Sequence, residues 1–179
     1  MTVIEVRRAR LHHRHGDGRV RARVERALTE LDLAEDGPLE AALAGAGIGT
    51  EELVVVPRLA VPIRIAGTDD GVGRMAHVWA DALATAVVDA VRTGDAVRYR
   101  SRGAALEDIV LRAGRGDLRR AWAWVVLGLW PSVADQPGTD VAAGLSHALS
   151  AEPRLAPAVV RSWVRRDGAA RVRRGLTRD

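Results

Sequence analysis

The stretch Leu53-Val54-Val55-Val56-Pro57-Arg58-Leu59-Ala60-Val61-Pro62-Ile63-Arg64-Ile65 sets an apolar residue or proline at every second position. Side chains alternate across a β-strand, so Leu53, Val55, Leu59, Val61, Ile63 and Ile65 share a core-facing side. Arg58 and Arg64 fall on the other side, toward solvent or a partner. Pro57 and Pro62 have no amide hydrogen to give to a ladder. The pattern predicts a bent edge strand over 53–65, or two short strands meeting near Ala60, closed by Gly67.

Working downstream, Asp69-Asp70 offers a helix cap with favourable charge for the helix start. Val72, Met75, Trp79, Leu83, Ala86 and Ala90 then recur at three- and four-residue spacing, with Val78, Val87 and Val91 widening the stripe, until Thr93-Gly94. Val97–Arg100 reads as a short extended piece, and Ser101 as the cap of a helix carrying Leu106, Ile109, Val110 and Ala113. Leu118–Trp130 is apolar on all sides after Arg120, as expected of a helix that is buried or faces a partner. Pro131–Gly138 is a loop. Asp140–Arg178 reads as two short helices split at Pro153 and Pro157, with a basic tail over 161–179.

Upstream, Val3–His13 begins with β-branched residues and is predicted as a strand. Gly16-Asp17-Gly18 turns the chain into a helix marked by Val20, Val24, Leu28 and Leu31, and Leu39–Ala46 is a second short helix. The order implies an α+β fold: a small N-terminal β-sheet (strand–helix–strand–helix) followed by a mostly helical C-terminal half. The natural division is an α+β assembly domain over 1–94 and a helical region over 95–179.

Composition narrows the function. Apolar residues make up 47% of 179, enough for a real core. There is no cysteine, so disulfides and thiolate metal sites are excluded, which suits a reducing cytoplasm. The first residues carry charges where a signal peptide would be apolar, and no run approaches the roughly 20 residues of a membrane span. Lysine is absent and every one of the 27 basic residues is arginine, the mark of a biased composition; the formal excess is only +4. The tail arginines could follow a phosphate backbone, but they lack the interleaved aromatics of a single-strand binder, and a solvated face or an acidic protein partner is the favoured reading over nucleic acid.

Catalytic signals are sparse. His12, His13 and His15 form the only histidine cluster, and His77 and His147 stand apart, so a solvated strand end explains them better than a metal site. Asp69-Asp70 and Glu107-Asp108 are explained by capping and solvation. Gly45-Ala46-Gly47-Ile48-Gly49 leads into a strand, so it cannot aim helix amides at a phosphate. No cofactor-binding motif is present, and a non-enzymatic role is expected. With no Phe and one Tyr, tryptophans supply the aromatic mass. Trp122 and Trp124 point in different directions on a helix, so one is expected in the core and the other at an interface. Trp122, Trp124, Leu127 and Trp130, with Arg58 and Arg64, are the candidate interface residues. Trp124→Arg is expected to disturb assembly more than folding, and Trp79→Arg the reverse.

The charged N-terminal strand, the stretch Val54–Gly67 and the long amphipathic helix after it resemble the N-terminal region of tape-measure-like proteins of phage-tail-like contractile injection systems. In that family an arginine, a leucine, alternating apolar residues and a closing glycine precede a helix with an acidic start. Val97-Arg98-Tyr99-Arg100-Ser101, leading to Asp117–Trp124, is similar as well. The resemblance covers residues 1–130. It implies a structural or assembly component whose partners are tube, cap or baseplate subunits, or further copies of itself, with no cofactor. As one helix the chain would span only roughly 270 Å, and its prolines and glycines forbid that, so a cap or baseplate factor fits better than a ruler. The alternative is an arginine-rich nucleic-acid-binding accessory protein.

Overall fold

Residues 38–61, 72–132 and 140–177, with Ala22, Glu25 and Arg26, are described by a computed structural model. The expected Val3–His13 strand, the histidines 12, 13 and 15, Asp69-Asp70, Arg64 and most of the 131–138 loop lie outside them. Of the expected 20–31 helix, Ala22, Glu25 and Arg26 are described and are helical.

The chain is α+β and mostly helical: seven helices and one two-stranded antiparallel sheet among the described residues. It separates into two compact units. One comprises Met1–Glu52 and Arg58–Gly94, the other Leu53–Pro57 and Asp95–Asp179.

In the first unit, α1 (Pro38–Gly45) opens on a proline, which suits the first helical turn because its missing N–H would be unpaired there anyway. Gly47, with φ of 80°, takes the left-handed conformation that ends the segment. α2 (Val72–Thr93) packs against α1. Leu39, Leu43 and Ile48 are buried from one side, and Met75, Ala76, Trp79, Ala80 and Ala84 from the other. The buried stripe of α2 therefore runs through the small residues beside Met75 and Trp79, and Val78 is left out at 48% exposure. Alanines at 76, 80 and 84 allow the close approach that larger side chains would block.

The second unit contains the sheet. β1 (Leu53–Val55) pairs with β2 (Val97–Tyr99) in the register Leu53↔Tyr99, Val54↔Arg98, Val55↔Val97. The expected strand over 53–65 is thus cut to three residues: the chain leaves the ladder after Val55, just ahead of Pro57, and β2 is only three residues long. β2 alternates as it should, with Val97 and Tyr99 inward and Arg98 exposed.

α3 (Arg102–Ala113) is the central helix. The Ser101 Oγ accepts from the Ala104 N–H at 3.2 Å, and Ala105, Leu106, Ile109, Val110 and Ala113 are buried. α4 (Ala121–Val126) is shorter than its apolar run, because Gly128 adopts φ of 69° and ends it. Asp140 caps α5 (Val141–Ala151), accepting from the Ala142 N–H at 2.9 Å. α6 (Ala156–Asp167) and α7 (Ala169–Leu176) are joined at Gly168, with φ of 83°. α5 and α6 pack on α3, and α7 packs on both α5 and α6.

One contiguous core unites these elements, with Trp124, Trp163, Leu106, Ile109, Leu129, Leu145 and Val110 the largest fully buried side chains. Each fully buried Leu contributes about 2–3 kcal/mol over an exposed one. The tryptophans fit because glycines face them. A Cβ on Gly144 would stand 2.3 Å from the Trp130 ring, and one on Gly114 2.5 Å from the Trp163 ring.

Candidate functional site

Tyr99 is carried inward by β2 and ends next to α3 and α4. Its hydroxyl accepts from the Trp124 indole N–H at 3.0 Å and donates to the Asp108 Oδ2 at 2.9 Å. The Arg112 Nε donates to the Asp108 Oδ1 at 2.7 Å, one helical turn along α3, and the Arg120 Nη1 stands 3.4 Å from both oxygens. Arg112 also reaches Asp117, 2.8 Å from Nη1 to Oδ2. Asp117 in turn accepts from the Nε, Nη2 and backbone N–H of Arg119. The result is a continuous Trp–Tyr–Asp–Arg–Asp–Arg chain linking β2, α3, α4 and the turn between the two helices.

Its electrostatics are those of a self-neutralising cluster. Burial, followed by the facing Asp108 carboxylate, pushes the Tyr99 phenol up to about 12. The Arg119 guanidinium and backbone amide, with Arg112, hold Asp117 well below the usual carboxylate range. Tyr99 therefore keeps its proton at neutral pH, and the carboxylates are committed to guanidinium partners. The cluster ties three elements together.

Two further links tie α6 to the centre. Glu107 accepts from the Ser162 Oγ at 2.8 Å and faces Arg166 at 3.5 Å. Asp167, with its side chain only 4% exposed, takes the Arg115 fork at 2.8 and 3.3 Å, and that hydrogen bonding holds its carboxyl below the ordinary range. The Trp163 indole N–H favours the charged form of Asp167 but makes no hydrogen bond of proper geometry among the described residues. Arg102 pairs with Glu152 and donates to the Leu127 carbonyl.

The candidate interface residues separate. Trp124 and Trp130 are 0% and 3% exposed, with ring centroids 5.3 Å apart. They are core residues, which corrects their placement at a surface. Trp124→Arg would bury a guanidinium in this core, so it would unfold the unit instead of sparing it. Trp122, on the opposite side of α4, is 36% exposed. Leu127 is half-buried against the core and Arg58 is exposed. Glu107 and Asp108, expected to be merely solvated, are the anchors of two networks.

The Asp108–Arg112 link could have been read from its i,i+4 spacing. The Tyr99–Trp124 link joins residues on separate elements, and no local pattern announces it. Among the described residues, no group of three His, Asp or Glu side chains is arranged to hold a metal. No helix among them is long and apolar enough to cross a membrane. Compared with known proteins, the chain matches no protein family, no curated protein and no solved structure.

Proposed function

We propose that this chain is a structural or assembly protein that acts through protein–protein contacts. The observation that carries the reading is Trp122. It stands 36% exposed on α4, where its neighbour two residues on is wholly buried. Val125 and Val126, three and four residues on along the same helical side, are half-buried, and so is Leu118 in the turn before the helix, where Arg119 is 85% exposed at its side chain. Tryptophan and arginine are the residues in which binding energy concentrates at protein interfaces. The locked carboxylates and protonated Tyr99 favour the same class of function.

The likeness of Val54–Gly67 and Asp117–Trp124 to tape-measure-like proteins makes a phage-tail-like contractile injection particle the assembly to test, with tube, cap or baseplate subunits as partners. Deleting the gene and imaging particles by electron microscopy is the experiment. Missing, truncated or length-scattered particles are expected, and Trp122→Ala should reproduce the defect with the chain still folded. Particles normal in number, length and completeness in both strains would end the proposal.

A further inference from the structure

The charge of this chain is divided unevenly. Residues 153–177 hold seven arginines and one aspartate, a formal +6; against +4 for the whole chain, the remainder sums to −2. Residues 7–26, with eight arginines against Asp17 and Glu25, carry a second block of the same size in the sequence; among the described residues the largest positive block is on α6, α7 and the turn before them.

The structure turns that excess outward. Val159 and Trp163 face the core from α6, and Val172 from α7. On the helical wheel, Arg161 and Arg165 lie opposite the first pair, and Arg171, Arg173 and Arg174 spread over the side of α7 away from Val172. All five are exposed. Arg161, Arg165, Arg173 and Arg174 make no ion pair or hydrogen bond among the described residues, whereas Arg112, Arg115 and Arg119 are each paired with an aspartate.

The character of this face selects its partner. The large exposed apolar residues of the described chain are Val78 and Trp122, neither on α6 or α7. A protein interface would need an apolar or aromatic anchor at its centre. A membrane-lying helix would need its apolar side free, and here that side is already packed. A single-stranded nucleic acid would need aromatic platforms, and Trp163 is 1% exposed. What remains is a dense, regular array of anions that demands no apolar contact.

We propose that the outer face of α6 and α7 binds the phosphate backbone of a nucleic-acid duplex, without reading its sequence. α6 is about 18 Å long and α7 about 12 Å, and a duplex carries a phosphate about every 1.7 Å of its axis, so each helix can meet several phosphates with its own arginines. This inference is independent of the assembly role resting on Trp122.

The test uses the full chain and a fluorescein-labelled DNA duplex of roughly 20 base pairs, followed by anisotropy as NaCl is raised. Five phosphate contacts give a slope of log K against log salt near −4.5, a loss of about 500-fold between about 50 and about 200 mM. Arg161→Gln/Arg165→Gln should flatten the slope by about two, as should Arg173→Gln/Arg174→Gln, with unchanged circular dichroism. Arg92→Gln/Arg100→Gln removes equal charge elsewhere and should leave the slope alone. Three results would overturn the proposal: no duplex binding at low salt, equal weakening by the Arg92/Arg100 pair, or tighter binding of a single strand. Stronger competition by polyglutamate or phosphatidylserine vesicles than by unlabelled duplex would overturn it too, and would assign the face to an acidic protein or a membrane.

Discussion

Gly144→Ala tests the packing of the second unit at its tightest point. On an ordinary helix the change stabilises by up to about 1 kcal/mol, because alanine has less freedom to lose. Here the new methyl would lie 2.3, 2.4 and 2.7 Å from three atoms of the Trp130 ring. Carbon atoms rest at roughly 3.5–4.0 Å, so the overlap exceeds about 1 Å. The ring has little room to yield, since it is 3% exposed and Trp124 stands behind it at 5.3 Å. Overpacking a filled core costs about 1–3 kcal/mol, and the locked ring places this case at the upper end. Set against the propensity gain, the net is a destabilisation of about 2 kcal/mol. Urea unfolding followed by far-UV circular dichroism measures it. Gly103→Ala is the control, because a Cβ there meets nothing nearer than 3.7 Å. It should be neutral or stabilising. Trp130→Leu in the Gly144→Ala background should recover at least about 1 kcal/mol of coupling in a double-mutant cycle. If Gly144→Ala were as stable as Gly103→Ala, or if the cycle showed no coupling, the argument from ring contact would be wrong.

Tyr99 is the one tyrosine of the chain, so its absorbance near 295 nm titrates alone. Its midpoint should stand near pH 12 in the folded protein and fall to about 10 in denaturant. Because the folded value is the higher one, its stabilisation is complete below pH 10 and is lost as pH rises toward 12; an unshifted midpoint would contradict the buried network. Tyr99→Phe strands the Trp124 indole N–H and should cost about 1–3 kcal/mol in urea unfolding. Trp124→Ala should cost about 3–5 kcal/mol, whereas Trp122→Ala should stay within about 1 kcal/mol of the parent, a contrast that equal losses would refute. A fragment spanning 95–179 lacks β1 and should unfold at lower urea than the same fragment supplied with a peptide of residues 50–60.

Much of the helical part could be read in the sequence. Leu106, Ile109, Val110 and Ala113 sit where a 3.6-residue period sends them, and Ser101 caps as its side chain allows. The period of α2 was legible too, but its inward direction shifted by a residue because alanines pack closer than Val78 could. The strand was overextended: alternation tells which way side chains would face if a partner existed, and β2 supplies a partner for only three residues. The Leu118–Trp130 run was apolar enough for a helix throughout, yet one left-handed glycine at 128 folded its end back into the core with Trp130. Local sequence could not tell which of two neighbouring tryptophans would be inside, since that depended on a tyrosine 25 residues upstream.

The pairing of β1 with β2 has a consequence for how the protein comes into being. The two strands are separated by a connection that contains α2 and belongs mostly to the other unit. Closing a connection of roughly forty residues would cost up to about 3 kcal/mol in chain entropy, beyond a constant term, were it without structure of its own; α2 lowers that cost. Three ladder residues return little against that cost. The sheet is thus held more by its buried side chains, Val55, Val97 and Tyr99, than by its ladder. A substitution that takes Val55 or Val97 out of the core would therefore open the ladder as well, and with it the hold of β2 on Tyr99 and Trp124.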